Sequence, residues 1–420
     1  MDLLRFFTAG NVDDGKSTLI GRLLLDSDSI STDIIEVLTK QSKNTNANAP
    51  IDLALLTDGL RAEREQGITI DVAYKFFSSK SRKYIIADTP GHAEYTRNMF
   101  TGASTCDLAI ILIDARWGVT EQTKRHTIIA SILGIPNLLV CVNKMDLVDY
   151  QENVFNQIKQ DFLTFSTSLF CPLVNFIPMS ALRGENVVHS CKKMGWYNGQ
   201  TLFEFLENLA LDNSTKSNPS RFQVQYIIRP ETEELKDYLG FAGAVLSGGF
   251  SLNDEVFIYP SEEKSRIVRI EKNHHDAGNA LEGDSIIFHL DNNPEIHRGF
   301  TLVKSEERPS FSDAIEAIIC WMDDIPFDKD QELMMQHHSL FMKVSIQKIN
   351  ASISVQNAKE LAPNKTIVLN EICKVSLKLS SRIAYDPYQS NQKFGAFLII
   401  DKNSNNTVAA GVILEPHSIN

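Results

Sequence analysis

Residues 10–18 read Gly10-Asn11-Val12-Asp13-Asp14-Gly15-Lys16-Ser17-Thr18, which is a complete GxxxxGK[ST] phosphate-binding loop, or P-loop. The loop follows an apolar, strand-like run at residues 3–9 and precedes a helix-like pattern at residues 16–25. In that context the glycines let the backbone wrap phosphates, and the amides at the start of the helix face the negative charge. We therefore predict that Lys16 reaches the β and γ phosphates of a nucleotide and that the Ser17 hydroxyl binds Mg²⁺.

A second motif bears on which base the nucleotide carries. Asn143-Lys144-Met145-Asp146 stands at the end of an apolar run at residues 138–143. The Asp146 carboxylate can accept two hydrogen bonds from the N1 and N2 donors of guanine, whereas adenine would leave it unpaired. Asn143 and Lys144 would brace the loop and stack along the base. The motif predicts guanine rather than adenine.

A third motif follows the run at residues 174–180 and reads Ser180-Ala181-Leu182. Its backbone is expected to contact the O6 atom of guanine. Each short motif is a weak signal alone, but the three occur in order, each at the end of a predicted strand. Together they predict a GTP site.

The γ phosphate and the metal are expected to meet Asp88-Thr89-Pro90-Gly91-His92, which closes a run at residues 84–88. Asp88 is placed to hold Mg²⁺ through water, and Gly91 can turn its N–H toward the γ phosphate. His92, directly after that turn, is expected to position the attacking water. The histidine is therefore a candidate catalytic residue.

A switch segment is predicted at Gly67-Ile68-Thr69-Ile70, where Thr69 offers a second hydroxyl ligand for Mg²⁺ in the GTP-bound state. Loss of the γ phosphate would remove the contacts that order Thr69 and Gly91, so the flanking loops could relax. The expected catalytic residues are His92, Lys16 and Thr69, and the expected metal ligands are Ser17, Thr69 and Asp88.

The apolar pattern predicts an α/β domain followed by two small antiparallel β-barrels. Strand-like runs alternate with helical patterns up to about residue 210, which is typical of a mostly parallel sheet with helices on both faces. A polar, proline-bearing stretch at residues 212–220 is the expected linker, and short β-type runs follow it. We expect a P-loop domain over residues 1–212 and barrels over residues 220–308 and 309–420. In the second barrel, residues 340–346 and 351–355 are read as separate strands.

Composition indicates a protein outside the membrane. No apolar run approaches the ~20 residues that a membrane span needs, and residues 3–9 lack the basic leader of a secretory signal, so we expect the cytoplasm. The formal charge of −12 argues against a surface made for nucleic acid. The six cysteines form no CxxC pair and are expected to be reduced thiols. His337 and His338 are expected to leave opposite faces of a strand, which argues against a metal site.

The P-loop, GITI, DTPGH, NKMD and SAL motifs, followed by two barrels, resemble the elongation factor Tu class of GTPases over nearly the whole chain. The resemblance implies that Val12 and Ile68 flank the catalytic histidine. Within the class, the chain is similar to the sulfate adenylyltransferase subunit 1 family. The likeness lies in the LALLTDGLRAEREQGITIDVAY segment at residues 53–74, in YTRNM, TGAS, DAR and QTKRH at residues 94–126, and in AYDPY at residues 384–388.

That family resemblance implies a partner, the sulfate-activating catalytic subunit (subunit 2), in a heterodimer or higher oligomer. GTP hydrolysis would drive the formation of adenosine 5′-phosphosulfate and pyrophosphate from ATP and sulfate. The alternatives are a translation factor that delivers aminoacyl-tRNA and a free-standing signalling GTPase. Asp14, where translation factors usually carry histidine, and the −12 charge disfavour the first. Two places depart from the family pattern: Asn11, where the family more often has serine, and residues 331–341. We expect no appended kinase domain after Asn420.

Overall fold

The structure, a computed structural model, describes residues 2–27, 53, 71–91, 99, 102–103, 105–167, 169, 174–211, 218–230, 238–292 and 294–415. The chain separates into two units, residues 1–212 with 354–359 and residues 213–353 with 360–420. Most of the predicted linker, residues 212–217, lies outside the described residues. The domain boundaries given above remain predictions.

The first unit is built on a six-stranded sheet in the order β2-β3-β1-β4-β5-β6. All neighbouring strands are parallel except β2, which runs antiparallel to β3 at one edge. All seven residues of β4 are buried, because parallel strands are covered on both faces. The strands are β1 Asp2–Ala9, β2 Ala73–Ser78, β3 Arg82–Asp88, β4 Leu108–Asp114, β5 Asn137–Asn143 and β6 Val174–Pro178.

The described helices of this unit are α1 Lys16–Asp26, α2 Glu121–Ile132, α3 Glu152–Ser166 and α4 Leu202–Asn208. Thr120 caps α2 by accepting a hydrogen bond from the Thr123 amide, and Thr201 with Glu204 forms a capping box on α4. Two short 3₁₀ helices cover Met145–Val148 and Lys192–Met194. The predicted α/β architecture is confirmed, although α4 was not predicted.

The second unit contains the two predicted barrels, each closed by six strands in the described part of the chain. In the first, strands β10, β15, β7, β8, β14 and β11 follow one another and β10 pairs with β11. Its strands are β7 Arg221–Ile228, β8 Gly240–Ser247, β9 Gly249–Ser251, β10 Glu255–Tyr259, β11 Glu263–Lys272, β12 His275–Ala277, β13 Asn279–Leu281, β14 Ser285–Leu290 and β15 Thr301–Lys304.

In the second barrel, β17, β21, β22, β16, β20 and β18 follow one another and β17 pairs with β18. Its core includes the fully buried Trp321 and Ile319. The strands are β16 Ser310–Trp321, β17 Leu333–His337, β18 Leu340–Ile353, β19 Glu360–Leu361, β20 Ile372–Tyr385, β21 Ala396–Asp401 and β22 Thr407–Ile413.

Two sequence predictions in this barrel were wrong. The run at residues 340–346 and the first part of the run at 351–355 form one long strand, β18, which ends at Ile353. Its pairing with β20 shifts register between Ile346 and Lys348 and again between Ile349 and Ala351. These β-bulges interrupt the alternation of apolar and polar residues, so the sequence pattern predicts a break where the strand continues. The adjacent histidines also do not leave opposite faces of a strand. His337 ends β17, His338 turns with a φ of 54°, and their ring centroids lie 5.0 Å apart.

Among the described residues, no helix is both long and apolar enough to cross a membrane. Cys106, Cys141, Cys191, Cys320 and Cys373 are free thiols, and Cys171 lies outside the described residues.

Candidate nucleotide-binding site

The P-loop connects β1 to α1 at the carboxyl edge of the sheet. Gly15 is the residue before α1, and it has a φ of 96°, a left-handed conformation that glycine tolerates best. A Cβ atom at Gly15 would also lie 2.5 Å from Nδ2 of Asn143. Glycine therefore lets the loop turn directly into a helix whose first amides are free to bind an anion.

Lys16 is 7% exposed, and its side chain folds back into the loop. Its Nζ donates hydrogen bonds to the carbonyl oxygens of Asn11 at 2.9 Å and Gly10 at 3.3 Å. Burial lowers the pKa of Lys16, and the nearby carboxylates of Asp14 and Asp88 oppose that shift. The ammonium group is thus held by carbonyl oxygens that phosphate oxygens could replace.

The segment after β3 lies against the P-loop, as the sequence predicts. Asp88 is 1% exposed, and the Thr89 hydroxyl donates to the carbonyl of Thr8 at 2.6 Å. A Cβ atom on Gly91 would lie 2.4 Å from Nζ of Lys16 and 3.1 Å from the amide nitrogen of Val12. A side chain at Gly91 would therefore collide with the group expected to bind the γ phosphate. His92, Ile68 and Thr69 lie outside the described residues, so their roles remain predictions.

The oxygen donors here suit Mg²⁺, which prefers carboxylate, hydroxyl and water oxygens. Asp88 is buried at the end of β3, and the Thr8 hydroxyl lies 3.4 Å from its Oδ1. Ser17 is the second residue of α1, on the turn that carries Lys16. The donor chemistry of Ser17 and Asp88 fits the expected metal.

Asn143, at the end of β5, joins the phosphate and base motifs. Its Nδ2 donates to the carbonyl of Asp14 at 2.8 Å, and its Oδ1 accepts the N–H of Ala181 at 2.9 Å. Asn143 is 2% exposed, so both hydrogen bonds are protected from water. The structure therefore brings the NKMD, P-loop and SAL motifs together through a single side chain.

Lys144 is fixed by a partner that the sequence analysis did not identify. Its backbone has a φ of 62°, and its Nζ contacts Oδ2 of Asp114 at 3.0 Å and donates to the carbonyl of Asp13. Burial raises the pKa of Asp114, but hydrogen bonds from Arg116 and Lys144 outweigh that effect and bring it to about 2. Asp114 ends β4 beside Asn143, which ends β5, in the sheet. The position of both residues at the ends of predicted parallel strands is the signal that could have identified the contact between Asp114 and Lys144.

The expected base-reading carboxylate is Asp146, in the 3₁₀ helix after β5. Its side chain is 6% exposed, and Oδ2 pairs with Nε of Arg183 at 3.2 Å. Ser180 accepts the Arg183 N–H at 3.4 Å, which tightens the SAL turn, and the Leu182 side chain is exposed. Met145, by contrast, is fully buried and is part of the hydrophobic core.

Two further side chains accept hydrogen bonds from backbone amides of the P-loop. Nδ1 of His126, on α2, accepts the N–H of Gly10 at 3.1 Å, and Oδ2 of Asp14 accepts the N–H of Asn11 at 2.5 Å. Asp14 is predicted from its place in the P-loop, whereas the position of His126 in the QTKRH string does not indicate this role. Its contact spans 116 positions along the chain and follows from the packing of α2.

Comparisons with known proteins show the family of this chain. The Elongation factor Tu GTP binding domain family matches residues 1–212, and the GTP-eEF1A C-terminal domain-like family matches residues 314–414. Sulfate adenylyltransferase subunit 1 of Alteromonas mediterranea is 45% identical over 99% of this chain and 87% of its own length. The chain belongs to the sulfate adenylyltransferase subunit 1 family. The Bacteroides thetaiotaomicron member is 43% identical over 99% of this chain and 86% of its own length.

Membership of this family, with its elongation factor Tu GTP-binding domain, makes the chain a GTP-binding GTPase, and the translation-factor alternative is not favoured. The designation subunit 1 implies a partner subunit. Among solved structures, the GTPase-like domain of Saccharomyces cerevisiae Ski7, determined with GTP, has a TM-score of 0.55 at 18% identity. The match covers 99% of this chain and 98% of that domain, and it shows a shared fold.

Proposed function

We propose that this chain is the energy-coupling GTPase of a sulfate-activating enzyme. It would bind GTP, hydrolyse it and thereby drive a catalytic partner, subunit 2, to form adenosine 5′-phosphosulfate and pyrophosphate from ATP and sulfate. The observation that carries the proposal is the convergence of the P-loop, Asp88 and the Asp146 loop, joined by Asn143, in a chain whose relatives are named subunit 1. We also propose that the protein works in the cytoplasm.

The side chains of the nucleotide site are proposed to have distinct roles in binding and hydrolysis. Lys16 would exchange its two carbonyl partners for the β and γ phosphates, and Asp146 would read the guanine edge. Ser17, Asp88 and Thr69 would hold Mg²⁺, which supplies positive charge to the phosphate oxygens when bound. His92 would orient the water that attacks the γ phosphorus.

The position of Gly91 beside the P-loop suggests how the partner subunit could respond to GTP hydrolysis. A Cβ atom at Gly91 would meet Lys16, so this backbone lies beside the group expected to hold the γ phosphate. Departure of that phosphate would change the partners of both residues. We propose that the partner subunit reads this change.

Nucleotide selectivity and metal dependence test the site. The purified chain, freed of nucleotide, is titrated with GTP and with ATP in the presence of Mg²⁺, and then with GTP in the presence of a chelator. The proposal predicts preference for GTP over ATP by roughly four orders of magnitude, because ATP would leave the Asp146 carboxylate unpaired. It also predicts weaker GTP binding without Mg²⁺. Equal affinity for GTP and ATP would contradict the base assignment.

A second experiment separates binding from hydrolysis. The variant His92→Ala is predicted to bind GTP with unchanged affinity and to lose most of its turnover. The control is His297→Ala, since His297 is an exposed histidine of the second unit with a 65% exposed side chain. Unchanged turnover in His92→Ala would remove His92 from the catalytic role.

A further inference from the structure

The first two amides of the P-loop are bound by side chains that differ in charge. His126, which is fully buried, accepts the Gly10 N–H, and Asp14, which is 3% exposed, accepts the Asn11 N–H. A buried backbone amide without an acceptor is costly, so both contacts hold the loop in the shape that faces the phosphates. One acceptor is an imidazole and the other is a carboxylate.

The imidazole is neutral. Burial lowers the pKa of His126 to about 3, and the positive charges of Lys16 and Arg125 add to the effect. Its Nδ1 therefore accepts from Gly10 without a proton of its own, and Nε2 lies 2.9 Å from the side-chain amide of Gln122. His126 holds its amide without a change of charge at any pH near neutrality.

The carboxylate of Asp14 behaves differently. Burial raises its pKa to about 6, against the opposing attraction of Lys16 and the hydrogen bond from Asn11. The charged groups that face it are Lys16 on α1, Asp114 at the end of β4 and Lys144 after β5. In the chain without nucleotide, the positive charge of the Lys16 ammonium is therefore the main factor that stabilises the ionised form of Asp14.

Binding of GTP changes that balance. Lys16 is the group expected to turn to the β and γ phosphates, and the phosphates bring negative charge into the loop that Asp14 supports. Asp14 would lose part of the attraction of its main countercharge and gain like charges nearby. Both changes favour the protonated carboxyl group.

We propose that Asp14 is a positioning residue of the P-loop and that GTP binding is coupled to the uptake of one solvent proton by its carboxylate. The inference rests on the proposed GTP site. The carboxylate gains a proton from the buffer, no other bond is made or broken, and its second oxygen can still accept the Asn11 N–H. Because the bound state holds the proton more tightly, GTP affinity falls as the pH rises from about 6.

Calorimetry tests the coupling directly. GTP with Mg²⁺ is titrated into the nucleotide-free chain at about pH 7 in buffers of different ionisation enthalpy, and the dependence of the heat on the buffer counts the protons taken up. The variant Asp14→Asn keeps an oxygen acceptor for Asn11 but carries no charge. We expect proton uptake by the wild-type chain, none in Asp14→Asn, and tighter GTP binding by that variant above pH 7. Ionisation of the nucleotide is common to both proteins and cancels in the difference.

Two more variants separate charge from hydrogen bonding. Asp14→Ala removes the acceptor of a partly buried amide and should weaken GTP binding roughly tenfold. His126→Gln disturbs the neighbouring acceptor without altering a charge, so it should keep the wild-type proton uptake.

Equal proton uptake in the wild-type chain and Asp14→Asn would overturn the inference. If Asp14→Asn does not fold, Asp14→Ala replaces it, because that variant also lacks the carboxylate. Equal proton uptake in Asp14→Ala and the wild-type chain then overturns the inference. Failure to bind GTP at all would instead contradict the proposed function.

Discussion

Nδ2 of Asn143 donates a hydrogen bond to the backbone carbonyl of Asp14 at 2.8 Å, across 129 positions of the chain. The oxygen of the same amide accepts the N–H of Ala181 at 2.9 Å. The P-loop and the Ser180-Ala181-Leu182 loop are therefore fixed to one side chain at the end of β5. Binding of base and phosphates should depend jointly on this residue.

Replacement of Asn143 by alanine should weaken GTP and GDP binding by roughly 10- to 100-fold, because two buried hydrogen bonds are lost. Affinity is measured by titration with a fluorescent guanine nucleotide. Asn137→Ala is the matched control, since Asn137 begins the same strand and its Nδ2 donates to the carbonyl of Asp107 at 3.1 Å. If both variants bound alike, Asn143 would not join the two loops.

Asp146→Asn should shift preference from guanine to xanthine nucleotides, because the substitution exchanges an acceptor for a donor at the base edge. We expect at least roughly a 100-fold change in the ratio of GTP to XTP affinity. The control is Asp149→Asn, an exposed aspartate three positions along the chain. An unaltered GTP preference in Asp146→Asn would exclude this carboxylate from the base site.

Arg221 and Asp386 form a buried ion pair in the second unit, with Nε–Oδ2 and NH2–Oδ1 distances of 2.9 and 2.8 Å. Their side chains are 1% and 7% exposed. Arg221→Leu leaves a buried carboxylate without its countercharge and should cost about 3 to 5 kcal/mol of unfolding free energy. Denaturant unfolding of the full chain measures the loss.

The control for this pair is Lys378→Leu, which breaks the surface contact of Lys378 with Asp313, 2.7 Å long and with both side chains at least 40% exposed. It should cost no more than about 1 kcal/mol. Similar losses in the two variants would show that burial does not decide the strength of the Arg221 pair.

The buried His337 should make the second unit acid-sensitive. Burial lowers its pKa to about 3, and His337 Nε2 lies 3.0 Å from the carbonyl of Phe394. The unfolded chain binds a proton near pH 6.5 and the folded chain does not, so stability present above pH 6.5 is lost as the pH falls toward 3. The loss is about 1.4 kcal/mol per pH unit, or ~2 kcal/mol at pH 5.

His337→Gln keeps a donor for that carbonyl and removes the titration. Between pH 6.5 and 5, its unfolding free energy should fall less steeply than that of the wild-type chain, as measured by denaturant unfolding at each pH. An identical pH slope in both proteins would count against a neutral buried His337.

Motifs that occupy adjacent positions could be predicted from the sequence because their chemistry is local. The P-loop precedes α1, and Asp88 and Asn143 end the strands expected for them. Contacts set by packing could not be predicted. Lys144 meets Asp114 because β4 and β5 lie side by side in one register. The hydrogen bond from Gly10 to His126 depends on how α2 packs beneath the loop.

The strand pattern failed where the backbone was irregular. Bulges in β18 shift the register twice, so the period-two alternation that marks a strand is lost around residues 347–350. The prediction for the histidine pair was wrong because His338 takes a left-handed φ of 54°, which a strand pattern does not indicate. In both places the deciding quantity is a backbone angle or a register, which residue types alone do not determine.

Energy coupling is tested most directly by following GTP hydrolysis and adenosine 5′-phosphosulfate formation together. The purified chain is assayed with and without the sulfate-activating subunit, ATP and sulfate, and His92→Ala serves as the variant that should bind GTP without turnover. GTP turnover and product formation should rise together when all components are present and fall together in His92→Ala. GTP hydrolysis that neither the partner nor sulfate alters, with product formation unaffected by GTP, would contradict it.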